Sequence, residues 1–220
     1  MRKIIAAAFM SLDGVMQAPG GPEEDPTGGF AFGGWSVNYW DESMGQAMGE
    51  AMSKPFDLLL GRKTYEIFAA HWPDLKGDPI SEKFDAITKY VATSSTTPLT
   101  WKNSVALRGD VAGEVARLKQ GDGPNLLTQG STDFLQTLLK HDLVDSFRLM
   151  VFPLVLGSGK KLFGRGAVPI GLKHTGTEVS TTGVITSTYQ GSGEIVAGSF
   201  ALATPTDAEL ARRARMQREG

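Results

Sequence analysis

A three-layer α/β sandwich is the fold this sequence predicts, with helices on both faces of a mostly parallel sheet and an antiparallel hairpin at its C-terminal edge. Three features point to it. Short runs of continuous rather than alternating hydrophobicity recur along the chain, as strands covered on both faces require. Segments with apolar residues at helical spacing fall between those runs. After Val144 the helical pattern stops, and short segments set apart by a glycine-rich stretch replace it.

The first strand is expected at residues 4–10, Ile-Ile-Ala-Ala-Ala-Phe-Met. Arg2 and Lys3 precede it, yet the run is too short to cross a membrane and passes at once into Ser11-Leu12-Asp13-Gly14, so it reads as a buried strand rather than an export signal. Residues 19–34 are rich in Gly and Pro and carry Glu23, Glu24 and Asp25 in a row, which predicts an irregular loop of the length that functional or mobile loops have. Further strands are expected at 57–60, 90–93, 105–107, 126–128 and 147–152, and helices at 42–52, 63–69, 110–119 and 132–140. In the last helix Phe134, Leu135, Leu138 and Leu139 return at helical spacing. The hairpin is read as residues 184–189 with 194–200, turning at Gln190-Gly191-Ser192-Gly193. One domain would then cover residues 1–200, followed by a polar tail at 201–220 in which Thr206-Asp207-Ala208-Glu209 has the spacing of a capping box ahead of an Arg-rich surface helix.

Composition narrows the function. The chain has 220 residues, 41% of them hydrophobic, enough for one core of good size. A net charge of −2 gives no basic field to attract a polyphosphate backbone, which sets nucleic acid aside as a partner. With no Cys there is no disulfide framework, no thiolate nucleophile and no zinc site built on sulfur, and the expected compartment is the cytoplasm, away from membranes. His71, His141 and His174 share no metal-like spacing and are read as structural residues near helix ends or loops, so no metal is expected. No Gly-x-Ser-x-Gly elbow is present.

The sharpest local signal is Leu58-Leu59-Leu60-Gly61-Arg62-Lys63-Thr64-Tyr65-Glu66, an apolar strand running through Gly61 into a helix that opens with two cations and a hydroxyl. Unpaired N–H groups and the positive dipole end of such a helix attract a phosphate, and Gly lets it approach closely. Leu126-Leu127-Thr128-Gln129-Gly130-Ser131-Thr132 repeats this logic, and Tyr90-Val91-Ala92-Thr93-Ser94-Ser95 ends a third strand in hydroxyls. Gly157-Ser158-Gly159-Lys160 is not a P-loop, because Lys161 stands where Ser or Thr is needed and Leu154 where a Gly is needed. The Gly pairs 157/159, 164/166 and 191/193 lack the third Gly of a Rossmann fingerprint.

The segment around Gly61 resembles the nucleotide-binding turn of the dihydrofolate reductase superfamily. The stretch from His141 to Leu149, followed by Pro153, Gly157-Ser158-Gly159 and Lys160-Lys161-Leu162-Phe163, is similar to the C-terminal reductase domain of bacterial riboflavin biosynthesis enzymes, more than to true dihydrofolate reductases. The resemblance covers residues 3–200. It implies a dihydrofolate-reductase-like fold, NADPH as cofactor and a homodimer. Bifunctional family members carry a zinc deaminase half with Cys ligands, for which this chain has neither the length nor the Cys.

By the same resemblance Arg62, with Lys63 beside it, meets the 2′-phosphate and Thr64 the pyrophosphate. Thr93 and Ser94 cup the adenosine ribose, and Gln129, Gly130, Ser131 and Thr132 take the place of the family's Gly-Gly turn. The nicotinamide lies against Ala7 and Ala8, with Gly14 in the turn beneath. Asp13 and Asp41 are the candidate catalytic carboxylates: Asp13 as acid or anchor, Asp41 where the family keeps its substrate-binding carboxylate, able to hold an N–C–N edge by paired hydrogen bonds. Each also reads as a local structural residue, Asp13 in a turn and Asp41 as a helix N-cap. Trp40, with Trp35 and Tyr39, could stack on a flat ligand, and Lys160, Lys161 and Arg165 are candidate contacts for a substrate phosphate. The implied activity is NADPH-dependent reduction of a pterin-like or pyrimidine-like heterocycle, the 5-amino-6-(5-phosphoribosylamino)uracil reductase step of riboflavin synthesis being one such reaction. A true dihydrofolate reductase and a non-catalytic NADPH-binding sensor or partner protein are the alternatives.

Overall fold

Leu58, Leu59 and Leu60 are wholly buried, which a strand achieves when both its faces are covered. They lie in β2 (Phe56–Gly61), inside an eight-stranded sheet of the computed structural model, which describes residues 1–164 and 167–219. The other strands are β1 (Ile4–Ser11), β3 (Lys89–Ala92), β4 (Ser104–Leu107), β5 (Asn125–Gln129), β6 (Ser146–Phe152), β7 (Gly171–Val179) and β8 (Ile185–Gly193). The helices are α1 (Glu42–Ser53), α2 (Arg62–His71), α3 (Pro79–Ala86), α4 (Val111–Gln120), α5 (Thr132–Lys140) and α6 (Asp207–Glu219). The sheet order is β4-β3-β2-β5-β1-β6-β8-β7. Its first six strands are parallel, and β8 and β7 join antiparallel.

Strand periodicity divides the core between the two faces. Ile4, Ala6 and Ala8 of β1 pack with Leu126, Phe147 and Leu149 against Val115 of α4 and Phe134, Leu135 and Leu138 of α5. On the other face Leu58 and Leu60 meet Met52 of α1, Tyr65 of α2 and Phe84 of α3, while Met44 of α1 packs on Met150 and Phe152. Helices on both sides of the sheet give the three layers expected.

A buried ion pair fastens the N-terminal end of the sheet. The Arg2 guanidinium, 4% exposed, pairs with Asp57 of β2 and donates from Nε to Pro124 O at 2.5 Å, just before β5. Asp57 Oδ1 also accepts from Thr88 N at 3.2 Å, reaching the start of β3. One carboxylate therefore joins the beginnings of four strands.

Three expectations change. The hairpin consists of β7 and β8, turning at residues 180–184, where Ser180 N donates to Val184 O and Gly183 takes φ +84°. Gln190 to Gly193 are strand residues, and residues 194–200 form no strand. The reason is visible in β7: Lys173, His174, Thr175, Thr177 and Glu178 give it no apolar run, because seven of its nine residues face solvent. α3, which the periodic reading left out, is only two turns long and starts on Asp78, whose carboxylate accepts from Ile80 N and Ser81 N ahead of Pro79 at the first helical position. His174 lies within β7 rather than at a helix end or loop.

Asp57→Ala leaves the buried Arg2 guanidinium without an anion, and should lower the unfolding free energy by about 3–5 kcal/mol in urea titration. A loss below about 1 kcal/mol would show that the clamp is not what holds this end of the sheet.

Candidate functional site

The helices differ in how they begin. α1, α3 and α4 start on Asp41, Asp78 and Asp110, each of which accepts hydrogen bonds from first-turn N–H groups. α2 and α5 start on Gly61 and Ser131, and neither has a side-chain cap. Because β5 lies beside β2, these two bare N-termini meet. Gly61 N donates to Ser131 Oγ at 2.9 Å and Ser131 N to Thr64 Oγ1 at 3.0 Å, locking the turns together. A Cβ on Gly61 would come within 3.2 Å of Phe134 Cβ, and Gly130 and Ser131 both take left-handed backbone, at φ +62° and +58°. Such strain in a non-Gly residue is held by its surroundings and clusters at ligand clamps. Arg62 and Lys63 add two cations at the positive end of the α2 dipole, the wrong sign for helix stability and the right one for an anion.

The third strand end lies beside the α2 N-terminus, linked to it through Arg62. Arg62 pairs with Glu66 at 2.6 Å and donates from Nη1 to Thr97 O at 3.0 Å, so its head leans over residues 93–97. Thr93 is buried and its hydroxyl accepts from Ser95 N, which shapes the loop, while Ser94 stands exposed. Arg108, directly after β4, donates to Ser95 O at 2.9 Å from the other side. Two guanidiniums thus flank one hydroxyl-rich loop. The sequence reading omitted Arg108, although a cation directly after a strand repeats the pattern of Arg62.

β1 outruns its neighbour. Its pairing with β5 ends at Ala7 opposite Gln129, whereas its pairing with β6 continues to Ser11 opposite Phe152. Lys3 O accepts from Leu126 N and Ser11 N donates to Val15 O, so the odd-numbered peptide groups face the β5 side. Phe9 therefore turns its N–H and C=O to an edge where β5 has already ended. Gly14, at φ +83°, turns the chain just beyond and accepts from Leu162 N at 3.0 Å.

The two candidate carboxylates are heavily hydrogen bonded. Asp13 accepts from Ser11 Oγ at 2.6 Å and from Leu156 N and Gly157 N at 3.0 Å each, with Lys161 Nζ at 3.4 Å. The Ser11 hydroxyl first, then those backbone donors, hold its pKa well below the usual carboxylate range. Asp41 caps α1 through Met44 N at 2.8 Å and clamps the β7–β8 turn through Thr181 Oγ1 at 2.6 Å and Thr181 N at 2.8 Å. The Thr181 hydroxyl, followed by Met44 N and Ser43, depresses Asp41 in the same way.

Of the nearby aromatics, Trp35 and Tyr39 pack on Phe152 in the core, whereas Trp40 is 43% exposed and lies 6.0 Å from the Phe9 ring. Arg148 stands beside Ala7 on β6. It donates from Nη2 to Ala47 O of α1 at 3.1 Å, its buried Nε has no protein partner, and it forms no ion pair among the described residues. Sequence periodicity could not single it out from a strand. Lys160 and Lys161 are paired with Asp25 and Asp13, and Arg165 lies outside the described residues. A hollow of about 200 Å³ opens between Ala47 of α1 and Glu178 of β7, and one of about 290 Å³ between Gln17, Phe30 and Lys160. Neither includes the paired helix N-termini, which lie at strand ends, where elongated nucleotides bind in sheets of this kind. Among the described residues no cluster of His, Asp or Glu could hold a metal, and no helix is long and apolar enough to cross a membrane.

Known proteins share this fold. Residues 2–186 match the family described as the RibD C-terminal domain. The uncharacterized protein YyaP of Bacillus subtilis (strain 168) is 26% identical over 197 residues, covering 87% of this chain and 96% of YyaP. Dihydrofolate reductase from Enterococcus faecalis, in complex with NADP(H), superposes with a TM-score of 0.54 at 15% identity, over 86% of this chain and 96% of that one. A diaminohydroxyphosphoribosylaminopyrimidine deaminase/5-amino-6-(5-phosphoribosylamino)uracil reductase from Thermotoga maritima gives 0.56 at 15% identity, over 86% of this chain and 56% of that longer one. At these identities the two structures show the shared fold.

Because Asp13 and Asp41 have folded-state pKa values below their unfolded ones, their stabilisation is fully present above about pH 4 and is lost as pH falls through the depressed values. Asp13→Asn and Asp41→Asn should each lower the urea midpoint at neutral pH. The gap from the unsubstituted protein should close as the medium is acidified, and a gap independent of pH would contradict the ionised-anchor role.

Proposed function

The chain belongs to the RibD C-terminal domain family, and on that premise we propose that it is an NADPH-dependent oxidoreductase that reduces a pterin-like or pyrimidine-like heterocycle. The observation that carries this reading is the pair of uncapped helix N-termini joined at Gly61 and Ser131, with Arg62 and Lys63 on one of them. A pyrophosphate fits there, since the turn combines two helix N-termini without a side-chain cap, two residues in left-handed backbone and two cations at the positive end of the α2 dipole. The Enterococcus faecalis enzyme of the same fold is a complex with NADP(H), which supports the choice of nucleotide.

When bound, the nicotinamide supplies the hydride. The chain's own residues would hold it as follows. Thr64, Gly130 and Thr132 line the pyrophosphate turn, and Gln129 stands where the open edge of β1 begins. Ala7 and Phe9 would hold the ring's amide at that edge, with Gly14 in the turn next to it. Arg62 and Arg108, on either side of Ser94 and the 93–97 loop, select the 2′-phosphate of NADPH over the ribose diol of NADH, because a dianion gains more from two guanidiniums than a neutral diol does.

On the substrate side Trp40 offers a face to a flat ring and Arg148 a donor for a ring carbonyl, whereas both oxygens of Asp41 are taken by Ser43, Met44 and Thr181 and keep it an anchor. Both Asp13 and Asp41 are ionised at neutral pH, so neither stores the proton that completes the reduction. Lys160 and Lys161 are already held in ion pairs, so a substrate phosphate is not required by this reading.

Titration with NADPH and NADH, followed by ligand fluorescence and thermal stability, tests the cofactor. NADPH should bind more tightly than NADH, and failure of both to bind would overturn the assignment. Arg62→Ala and Arg108→Ala should each weaken NADPH by roughly 10- to 100-fold, as loss of a charged hydrogen bond does, while leaving NADH within about threefold. NADPH oxidation on adding pterins or aminopyrimidines should follow. Binding without turnover on any of them would favour a nucleotide sensor instead.

A further inference from the structure

Arg148 has no countercharge among the described residues. A guanidinium cannot shed its proton at working pH, so holding one half-buried without an anion is unfavourable. Its Nη2 donates to Ala47 O at 3.1 Å, and its buried Nε has no protein acceptor. The acids on the same side of the sheet do not neutralise it. Both oxygens of Asp41 are taken by Ser43, Met44 and Thr181, and Glu178 stands on β7, with β8 between it and β6.

Strand register fixes where this cation stands. Gln129, Ala7, Arg148 and Thr188 are partners in one row across β5, β1, β6 and β8. Partners in a row face the same way, and the bond from Arg148 to Ala47 marks that face as the one under α1. Neighbouring strands lie about 4.8 Å apart, so the small side chain of Ala7 leaves a gap about two strand spacings wide between Gln129 and Arg148. Phe9 follows Ala7 on the same face of β1, with its ring 6.0 Å from that of Trp40, so aromatic surface adjoins the row.

The reductase reading puts the nicotinamide on the β5 side of Ala7, at the open edge of β1. Arg148 is on the β6 side. A flat ring lying over Ala7 therefore takes up hydride at one edge and meets the guanidinium at the other.

Resting on that reductase reading, we propose that Arg148 holds the negative charge that hydride transfer creates, and that the substrate is a heterocycle whose reduced double bond is conjugated with a ring carbonyl. As hydride arrives from the dihydronicotinamide, oxidising it to NADP+, the attacked carbon gains a C–H bond. The π pair of the double bond moves through the ring to the carbonyl oxygen, the oxyanion lies against Arg148, and a proton from solvent then restores the carbonyl. An isolated C=N bond would instead leave the charge on its own nitrogen, at the hydride edge and away from Arg148.

Uracil and barbiturate are flat pyrimidines of similar shape. Barbiturate is ionised at neutral pH, with its charge on the ring oxygens as in the oxyanion. Calorimetric titration of each, with NADP+ present, on the parent, Arg148→Gln and Arg148→Lys tests the proposal. The parent should bind barbiturate at least about 10-fold more tightly than uracil. Arg148→Gln keeps N–H donors without the charge, and should cut that preference by about 10-fold or more while holding uracil within about threefold. Arg148→Lys, which keeps the charge, should retain a preference for barbiturate. Melting temperature and NADPH titration of the same proteins check the fold and the cofactor site, and NADPH affinity should stay within about threefold in all of them. A parent that binds NADPH but does not prefer barbiturate, or binds neither pyrimidine, would overturn the proposal alone, as would a preference unchanged by Arg148→Gln. A parent that binds no NADPH would overturn the reductase reading and this proposal with it.

Discussion

The insertion of β5 between β2 and β1 governs the candidate site. In a sheet of parallel strands the helices that follow two adjacent strands begin next to each other, so this one topological fact brings the N-termini of α2 and α5 together. The register then adds to it: β5 stops opposite Ala7 while β1 runs on to Ser11, which leaves the Phe9 peptide facing an open edge beside the same turns. The anion-attracting groove and the flat-ring edge are thus consequences of where one five-residue strand sits and how soon it ends.

Electrostatics follow the same division. Aspartates cap α1, α3 and α4, and no side chain caps α2 or α5. Around the groove's far end the carboxylates are used to hold loops. Asp13 ties the turn after β1 to residues 156–157, and Asp41 ties α1 to the β7–β8 turn. Within the loop after β1, Gln17 Nε2 donates to Asp25 O and Thr27 O while its Oε1 accepts from Lys160 N, and Trp35 Nε1 donates to Gln17 O. Glu24, pushed up by burial, accepts from Gly20 N at 2.6 Å inside it. The Gly- and Pro-rich stretch is therefore a self-bonded loop fixed to the segment after β6, although its composition alone shows only irregularity.

Much of the fold was legible because buried parallel strands and amphipathic helices carry strong hydrophobic signatures; the leucines of β2 and the 134/135/138 stripe of α5 are examples. β7 was not, since a strand exposed on both faces loses the alternation on which strand reading rests, and α3 is too short for its period to stand out. Residues 194–200 have a strand's composition and form no strand, because composition reports a preference for pairing and not whether a partner strand is in place.

By itself the sequence determined the α/β layering, the two Gly-bearing strand-to-helix turns and the cations of Arg62 and Lys63, since those depend on local periodicity, backbone freedom and charge. The tertiary structure decided which turns are neighbours, that Arg108 joins Arg62 at one loop, that Arg148 stands beside Ala7, and that Asp13 and Asp41 are locked as ionised anchors. Those are relations between residues 30 to more than 140 positions apart, and only strand order and register bring such residues together.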